Sequence, residues 1–210
     1  MALTFYTNPM SRGGIVRWAL HEVGADHETR IIAYGEEMKG GDYRAINPMG
    51  KVPAIEHDGV VVTECAAICH YLAERFPEAG LGPQPGELGA YFRWLFFAAG
   101  PIEQAVTNQA AGFDTAGLDA QKKGMMGYGD YDLTMSVIEG HLATHDYAVG
   151  SRFTMADVYL GSQIAWGIQF NTVPDTPVLR AYAERATDRD AARAARAIDM
   201  ALIAKAQETS

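Results

Sequence analysis

Residues 47–77 read NPMGKVPAIEHDGVVVTECAAICHYLAERFP, which divides into a strand, a tight turn, a second strand and a helix. Lys51 to Ile55 and Val60 to Thr63 are short runs with β-branched residues, and the Asp58-Gly59 pair between them supplies the positive φ of a two-residue hairpin turn. The two strands are expected to pair antiparallel. Ala67, Ile68, Tyr71, Leu72 and Phe76 then recur at helical spacing, Thr63 stands where an N-cap is wanted, and Pro77 ends the run.

Two features of this stretch are chemical. Pro53 has no N–H, so at a strand start it requires an edge, a bulge or a cis bond, and each of these leaves the backbone of Val52 open to another partner. At the helix start, the N–H groups of Glu64 and Cys65 and the dipole behind them suit a carboxylate, while the Glu64 side chain suits an ammonium. A ligand with an amino-acid head group and a peptide-like middle satisfies both.

Working outward, Leu3 to Thr7 alternates as a strand, Asn8-Pro9-Met10 breaks it, and Ile15, Val16, Ala19, Leu20 and Val23 mark a helix face that Gly24 ends. His27 to Ile32 is a second strand, and residues 33–46, interrupted by Gly35, Gly40 and Gly41, predict a short or irregular helix with a mobile loop. The order is βαβαββα, that of a thioredoxin-like domain over residues 1–77. Residues 78–86, rich in Pro and Gly, form a linker. From 87 to 210 the patterns are helical, and the second domain is expected to be an all-α bundle. Thr154 and Asp157 there have the spacing of a capping box, to which we assign a structural role, ahead of a helix apolar on most faces. Residues 110–129 carry five glycines and predict a flexible loop or frayed helix end.

Val52-Pro53, the hairpin, and an acidic residue followed by a small polar one at a helix start resemble the cytosolic glutathione transferases. The likeness covers the whole first half, and the capping box resembles that of the family's helical domain. It implies that Val52 binds the cysteinyl part of glutathione through its peptide groups, that Pro53 is cis, and that Glu64 and residue 65 hold the γ-glutamyl end. The family usually has Ser where this chain has Cys65, and a thiol is the weaker donor. The resemblance also implies a homodimer, and Tyr91, Phe92, Phe96 and Phe97 give the helix after the linker more apolar surface than one buried face requires.

A free thiol has a pKa near ~8.5, so the protein must favour the thiolate, and lowering that value by ~2 units takes about 2.7 kcal/mol. One short hydroxyl donor and a helix N-terminus suffice together. Ser11, at the junction of the first strand and helix, is placed for this, and Pro9-Met10-Ser11 resembles the serine-type active site of bacterial members of the family. Its structural alternative is a helix cap. Tyr6, Asn8 and Arg12 are the other candidates, although Thr7 is nearest the position where other classes place a tyrosine. The function expected is conjugation of the glutathione thiolate to small apolar electrophiles. A non-catalytic glutathione-binding protein of the same fold is the alternative. A glutathione-dependent thiol oxidoreductase or peroxidase ranks below it, because Pro9-Met10-Ser11-Arg12 lacks the thiol of a redox motif.

Composition narrows the rest. A net charge of −9 disfavours nucleic acid, which needs a basic stripe. Local charge for an anionic ligand is available at Arg12, Lys39 and Lys51. No stretch has the length of a membrane span, the first residues read as a strand and not as an export signal, and the only two cysteines, Cys65 and Cys69, lie one turn apart without a disulfide or metal pattern. These point to the cytoplasm. The six histidines are scattered, no metal is expected, and His141 and His145 read as helix surface. Met10, Trp94, Met125, Met126, Tyr128 and Trp166 are the candidate lining of an apolar substrate pocket.

Overall fold

The structure, a computed structural model, describes residues 2–113, 115 and 117–208. In chain order the elements are β1 (Leu3–Thr7), α1 (Gly13–Glu22), β2 (Glu28–Ile31), α2 (Glu36–Lys39), α3 (Gly41–Ile46), β3 (Ala54–His57), β4 (Val60–Thr63) and α4 (Cys65–Arg75), followed by helices alone. These are α5 (Leu88–Phe97), α6 (Glu103–Ala110), α7 (Ala120–Met125), α8 (Tyr131–Leu142), α9 (Met155–Gln169), α10 (Pro177–Thr187) and α11 (Asp190–Glu208). A thioredoxin-like half precedes a helical half, as the sequence implies. The chain forms two compact units, one running to Gly82 and resuming at Arg189, the other Pro83–Asp188.

In the first unit the sheet order is β2-β1-β3-β4, with β1 parallel to β2 and antiparallel to β3, and β3 antiparallel to β4. The alternation of a strand sorts the two faces. Phe5 pairs with Ile55 on the side where Arg17 of α1 lies over the Phe5 ring, whereas Tyr6 pairs with Ala54 and packs with Ile32, Met38 and Tyr43. The hairpin turn has positive φ at both Asp58 and Gly59, which is the reason that dipeptide is there. β3 starts at Ala54 instead of Lys51, because side chains of Tyr43 and Asn47 take the Lys51 carbonyl before the ladder begins. Thr63 closes β4 and does not cap; α4 begins after Glu64. The irregular stretch 33–46 resolves into the two short helices α2 and α3.

Helix α11 belongs to this unit, whereas the sequence placed it with the rest of 87–210. The physical reason is two ion pairs to α1. Arg17, only 2% exposed, donates to Asp199 at 2.8 Å, and Arg189 makes two bonds to Glu22 at 2.6 and 2.7 Å. Neither is legible as a helical-face pattern, because each joins positions more than 160 residues apart.

In the second unit α5 runs into α6 through a wider π-type turn, Ala98–Ile102. Pro101 inside it has no N–H for a regular α-helical ladder, which accounts for the widening. The stretch expected to be loop contains α7, capped by Asp119, whose side chain accepts from Lys122 N–H at 2.8 Å. α9 is the hub, buried on most faces and packed on α5 and α10. Its capping box is formed: Thr154 Oγ1 accepts from Ala156 N–H at 3.2 Å and Asp157 accepts the Thr154 N–H at 2.9 Å. Asp157 is fully buried and also accepts from Ala148 N–H (2.7 Å) and Tyr182 Oη (2.9 Å). Burial pushes its carboxyl pKa up, and the donors oppose that shift.

Removing this carboxylate strands several buried donors at once. Asp157→Ala is expected to lower the unfolding free energy by about 3 kcal/mol or more, and Tyr182→Phe by about 1 kcal/mol. Urea denaturation checks both, and a loss under about 1 kcal/mol in Asp157→Ala would show the box to be dispensable.

Candidate functional site

Three segments of the first unit meet beyond the carboxyl end of β1. The first is the loop 8–12. Asn8 is buried, its Nδ2 donates to the Ile32 carbonyl at 3.0 Å, and its Oδ1 accepts the Met10 N–H at 3.0 Å, so one side chain ties the loop to the end of β2. The Asn8 carbonyl accepts both the backbone N–H of Ser11 (3.1 Å) and its hydroxyl (2.6 Å). Ser11 Oγ in turn accepts the Gly13 N–H at 2.9 Å, so the residue, one position before the N-cap Arg12, ties down the entry to α1 with its side chain partly exposed. Met10 projects outward, 69% exposed, and its carbonyl accepts from Tyr34 Oη at 3.0 Å.

The second segment is 47–53. Asn47 repeats the geometry of Asn8: its Oδ1 accepts the Met49 N–H at 3.1 Å, its carbonyl accepts the Gly50 N–H at 2.8 Å, and its Nδ2 donates to the Lys51 carbonyl at 2.7 Å. Tyr43 Oη donates to that same carbonyl at 2.8 Å. With Lys51 clamped, the chain reaches Val52-Pro53, whose peptide bond is cis. Among the described residues the N–H and C=O of Val52 have no hydrogen-bond partner.

The third segment is the start of α4. Glu64 adopts φ +68, ψ +120, a conformation that costs of order 1–3 kcal/mol for a side-chain-bearing residue. Its side chain is exposed. Cys65 is buried and reduced, and its Sγ donates to the Arg12 carbonyl at 3.7 Å, which sets the helix start directly against the Ser11 loop. Behind it Cys69 is fully buried, and burial holds its thiol well above the ordinary range, a packed residue and not a reactive one.

The other candidates fall as follows. Tyr6 donates its hydroxyl to Glu56 at 3.0 Å, and burial followed by that contact raises its pKa, so its proton is engaged on the α2–α3 face of the sheet. The Asn8 amide holds the loop. Arg12 contributes its carbonyl to Cys65. Lys39 reaches the Gly50 carbonyl, beside Lys51, and both lysines are exposed. The two clamps on the Lys51 carbonyl, the Tyr43 hydroxyl and the Asn47 amide, escape the sequence reading, as does Tyr34. A usable signal existed: the tripeptide Asn-Pro-Met occurs at 8–10 and again at 47–49, and Asn before Pro favours the turn that each one makes.

In the helical unit the pocket candidates have different surroundings. Trp94 is core, its ring stacked at 4.1 Å on His141, which stacks at 4.2 Å on His145; His141 is therefore half-buried between rings and not plain helix surface. Burial is the main cause lowering the His141 pKa. Met125 is 79% exposed, Met126 is half-buried, and Trp166 is 39% exposed and edge-on to Phe170. Tyr128 alone of these lines a cavity of about 330 Å³, with Ala105, Asn108, Phe113, Lys123 and Tyr131 among its neighbours. Among the described residues no group of three metal-ligating side chains converges, and no helix is long and apolar enough to cross a membrane.

Comparison with known proteins points to one family. The model of the glutathione S-transferase N-terminal domain matches residues 14–75 and that of the C-terminal domain matches 132–190. A maleylacetoacetate isomerase of Rattus norvegicus is 30% identical over 157 residues, 71% of this chain and 70% of its own length. Glutathione S-transferase 1 of Schizosaccharomyces pombe is 30% identical over 156 residues, 70% of this chain and 66% of its own. Among solved structures, a glutathione transferase from Methylococcus capsulatus superimposes with a TM-score of 0.74 at 28% identity, covering 94% of this chain and 98% of the other. A sphingomonad glutathione S-transferase complexed with glutathione gives 0.74 at 27% identity, covering 93% and 98%.

Gly13 is a steric requirement of the loop. A Cβ there would stand 1.9 Å from the hydroxyl oxygen of Thr7, which is buried without a partner among the described residues. Gly13→Ala is expected to cost about 1–3 kcal/mol, and adding Thr7→Ala should return at least half of the loss. Thermal denaturation of the two single variants and the double variant checks this; no recovery in the double variant would mean that the strain lies elsewhere.

Proposed function

The chain belongs to the glutathione S-transferase family, and we propose that it binds glutathione across the three segments and conjugates it through the thiol sulfur to small apolar electrophiles. The observation that carries this reading is the approach of Cys65 to the Arg12 carbonyl, which brings the N-terminus of α4 against the Ser11 loop. In the proposed pose, the first-turn N–H groups of α4 take the γ-glutamyl carboxylate and Glu64 takes the ammonium, an arrangement for which its strained backbone is the supporting sign. Val52 pairs its open N–H and C=O with the cysteinyl residue as a short antiparallel strand. Lys39 and Lys51 supply positive charge toward the glycyl carboxylate.

The sulfur then lies at the entry to α1. Ser11 holds its proton on the Asn8 carbonyl at 2.6 Å, and a hydroxyl proton rotates freely about its C–O bond, so it turns from that oxygen to the sulfur as the thiol ionises. The Gly13 N–H remains on Ser11 Oγ and polarises the hydroxyl toward donation. The thiol proton leaves to solvent, sulfur forms a bond to the electrophilic carbon, and the leaving group departs with the electron pair.

A second reading draws on the isomerase relatives: a thiolate that adds to an activated double bond and leaves again returns glutathione unchanged and an isomerised product. The same residues serve both. We further propose a cytoplasmic homodimer, in which the exposed ring of Phe96, stacked on the half-buried Phe92 of α5, meets a second copy.

Ser11→Ala tests the assignment. Conjugation of 1-chloro-2,4-dinitrobenzene near neutral pH is expected to fall about ten- to hundredfold in kcat/KM, with the deficit shrinking at high pH and glutathione affinity held within about twofold. Unchanged turnover would remove Ser11 from the chemistry and leave it as a cap; loss of activity in parallel with loss of affinity would point to collapse of the turn.

A further inference from the structure

Thr7 ends β1, and the period of two along the strand puts it on the face where Phe5 meets α1. It is fully buried, and its hydroxyl has no hydrogen-bond partner among the described residues. A valine there would fill the same shape without the cost of an unmatched buried hydroxyl, and such groups are few in folded chains. Packing alone gives no reason for the oxygen.

Its surroundings show what it can serve. Thr7 Oγ1 and Ser11 Oγ converge on one point, the place a Cβ on Gly13 would take, at 1.9 and 3.0 Å from it. The glycine lets the start of α1 close on both hydroxyls. Nearby, the Asn8 carbonyl is filled by two donors, the N–H and the hydroxyl of Ser11, and the Asn8 side chain is engaged by Ile32 and Met10. The Thr7 carbonyl takes the Ile32 N–H at 2.8 Å. Ser11 Oγ holds one donor, the Gly13 N–H at 2.9 Å, and so keeps a second lone pair open. A donor without an acceptor and an acceptor with spare capacity stand at the same turn.

We propose that Thr7 is a positioning residue for thiolate formation, acting through Ser11 and not on the substrate. The inference rests on the glutathione reading above. As Ser11 turns its proton from the Asn8 carbonyl to the glutathione sulfur, its oxygen takes the Thr7 O–H into the open position. Ser11 Oγ then donates once and accepts twice, its full capacity. Thr7 keeps its proton throughout: the step exchanges hydrogen bonds only, and the thiol proton leaves to solvent as before. A donor behind a donor strengthens the bond in front, and in a buried setting that polarisation favours the charged sulfur. The Thr7 hydroxyl is matched only in the ionised state, so it contributes to the chemistry and not to binding of the neutral thiol.

Thr7→Val and Thr7→Ser separate this role from packing. In Thr7→Val the pKa of bound glutathione, read by thiolate absorbance, is expected to rise by about half a unit, with kcat/KM for 1-chloro-2,4-dinitrobenzene falling about threefold below that pKa and recovering above it. Glutathione affinity should hold within about twofold, and the melting temperature should stay level or rise, because the unmatched hydroxyl is gone. Thr7→Ser keeps the hydroxyl and should titrate as the unmodified protein does. An unshifted pKa in Thr7→Val, a Thr7→Ser variant that titrates like Thr7→Val, or activity lost only in step with melting temperature would each overturn the proposal. Failure of the glutathione reading looks different: the unmodified protein itself would show the bound thiol at its free value, and the inference would fall with it.

Discussion

Two buried asparagine side chains, Asn8 and Asn47, fix the backbone on which the candidate site is built. Each sits before a proline, each accepts the N–H two residues on, and each sends its amide N–H to another carbonyl, of Ile32 in one case and Lys51 in the other. An amide can do this because it both donates and accepts, whereas the aspartate that resembles it has no donor when ionised. A buried amide with two partners is worth keeping, since removing it strands a carbonyl and an N–H at once. The Ser11 hydroxyl, the clamped Lys51 carbonyl and the open Val52 peptide all take their positions from these two turns.

What the turns present is a set of backbone groups at one end of the sheet, beyond the carboxyl end of β1. In the proposed reading such a site recognises a peptide-like ligand through geometry, and its N–H groups need no reorganisation when charge appears on sulfur. The left-handed backbone at Glu64 is the local strain that the arrangement tolerates, and the tightly packed α4, with Ile68, Cys69 and Leu72 fully buried behind it, holds that conformation in place. Cys65, where the family resemblance implies a serine, turns its Sγ to the Arg12 carbonyl at the start of α4.

The fold was legible because its signals are local. β-branched runs, Asp58-Gly59, the Thr154–Asp157 box and the helical periods each depend on neighbours a few residues away. The boundaries that moved did so for reasons of tertiary contact: β3 starts late because Tyr43 and Asn47 capture Lys51, and α11 joins the first unit because Arg17 and Glu22 each find a partner near the other end of the chain. The cis bond at Val52-Pro53 and the helix start at Glu64-Cys65 were visible for the same local reason. The engagement of the Tyr6 hydroxyl was not, since only the fold brings Glu56 to it. Large apolar side chains on helices do not separate pocket lining from core, and Trp94 is core.

Stabilisation of a thiolate by the Ser11 loop and the α4 start is the property on which the proposed chemistry depends. Ultraviolet absorbance of the glutathione thiolate, titrated against pH with the unmodified protein in excess, measures it directly. The bound thiol is expected to have a pKa about one to two units below that of free glutathione. A bound pKa equal to the free value would contradict this and leave a protein that binds glutathione without activating it.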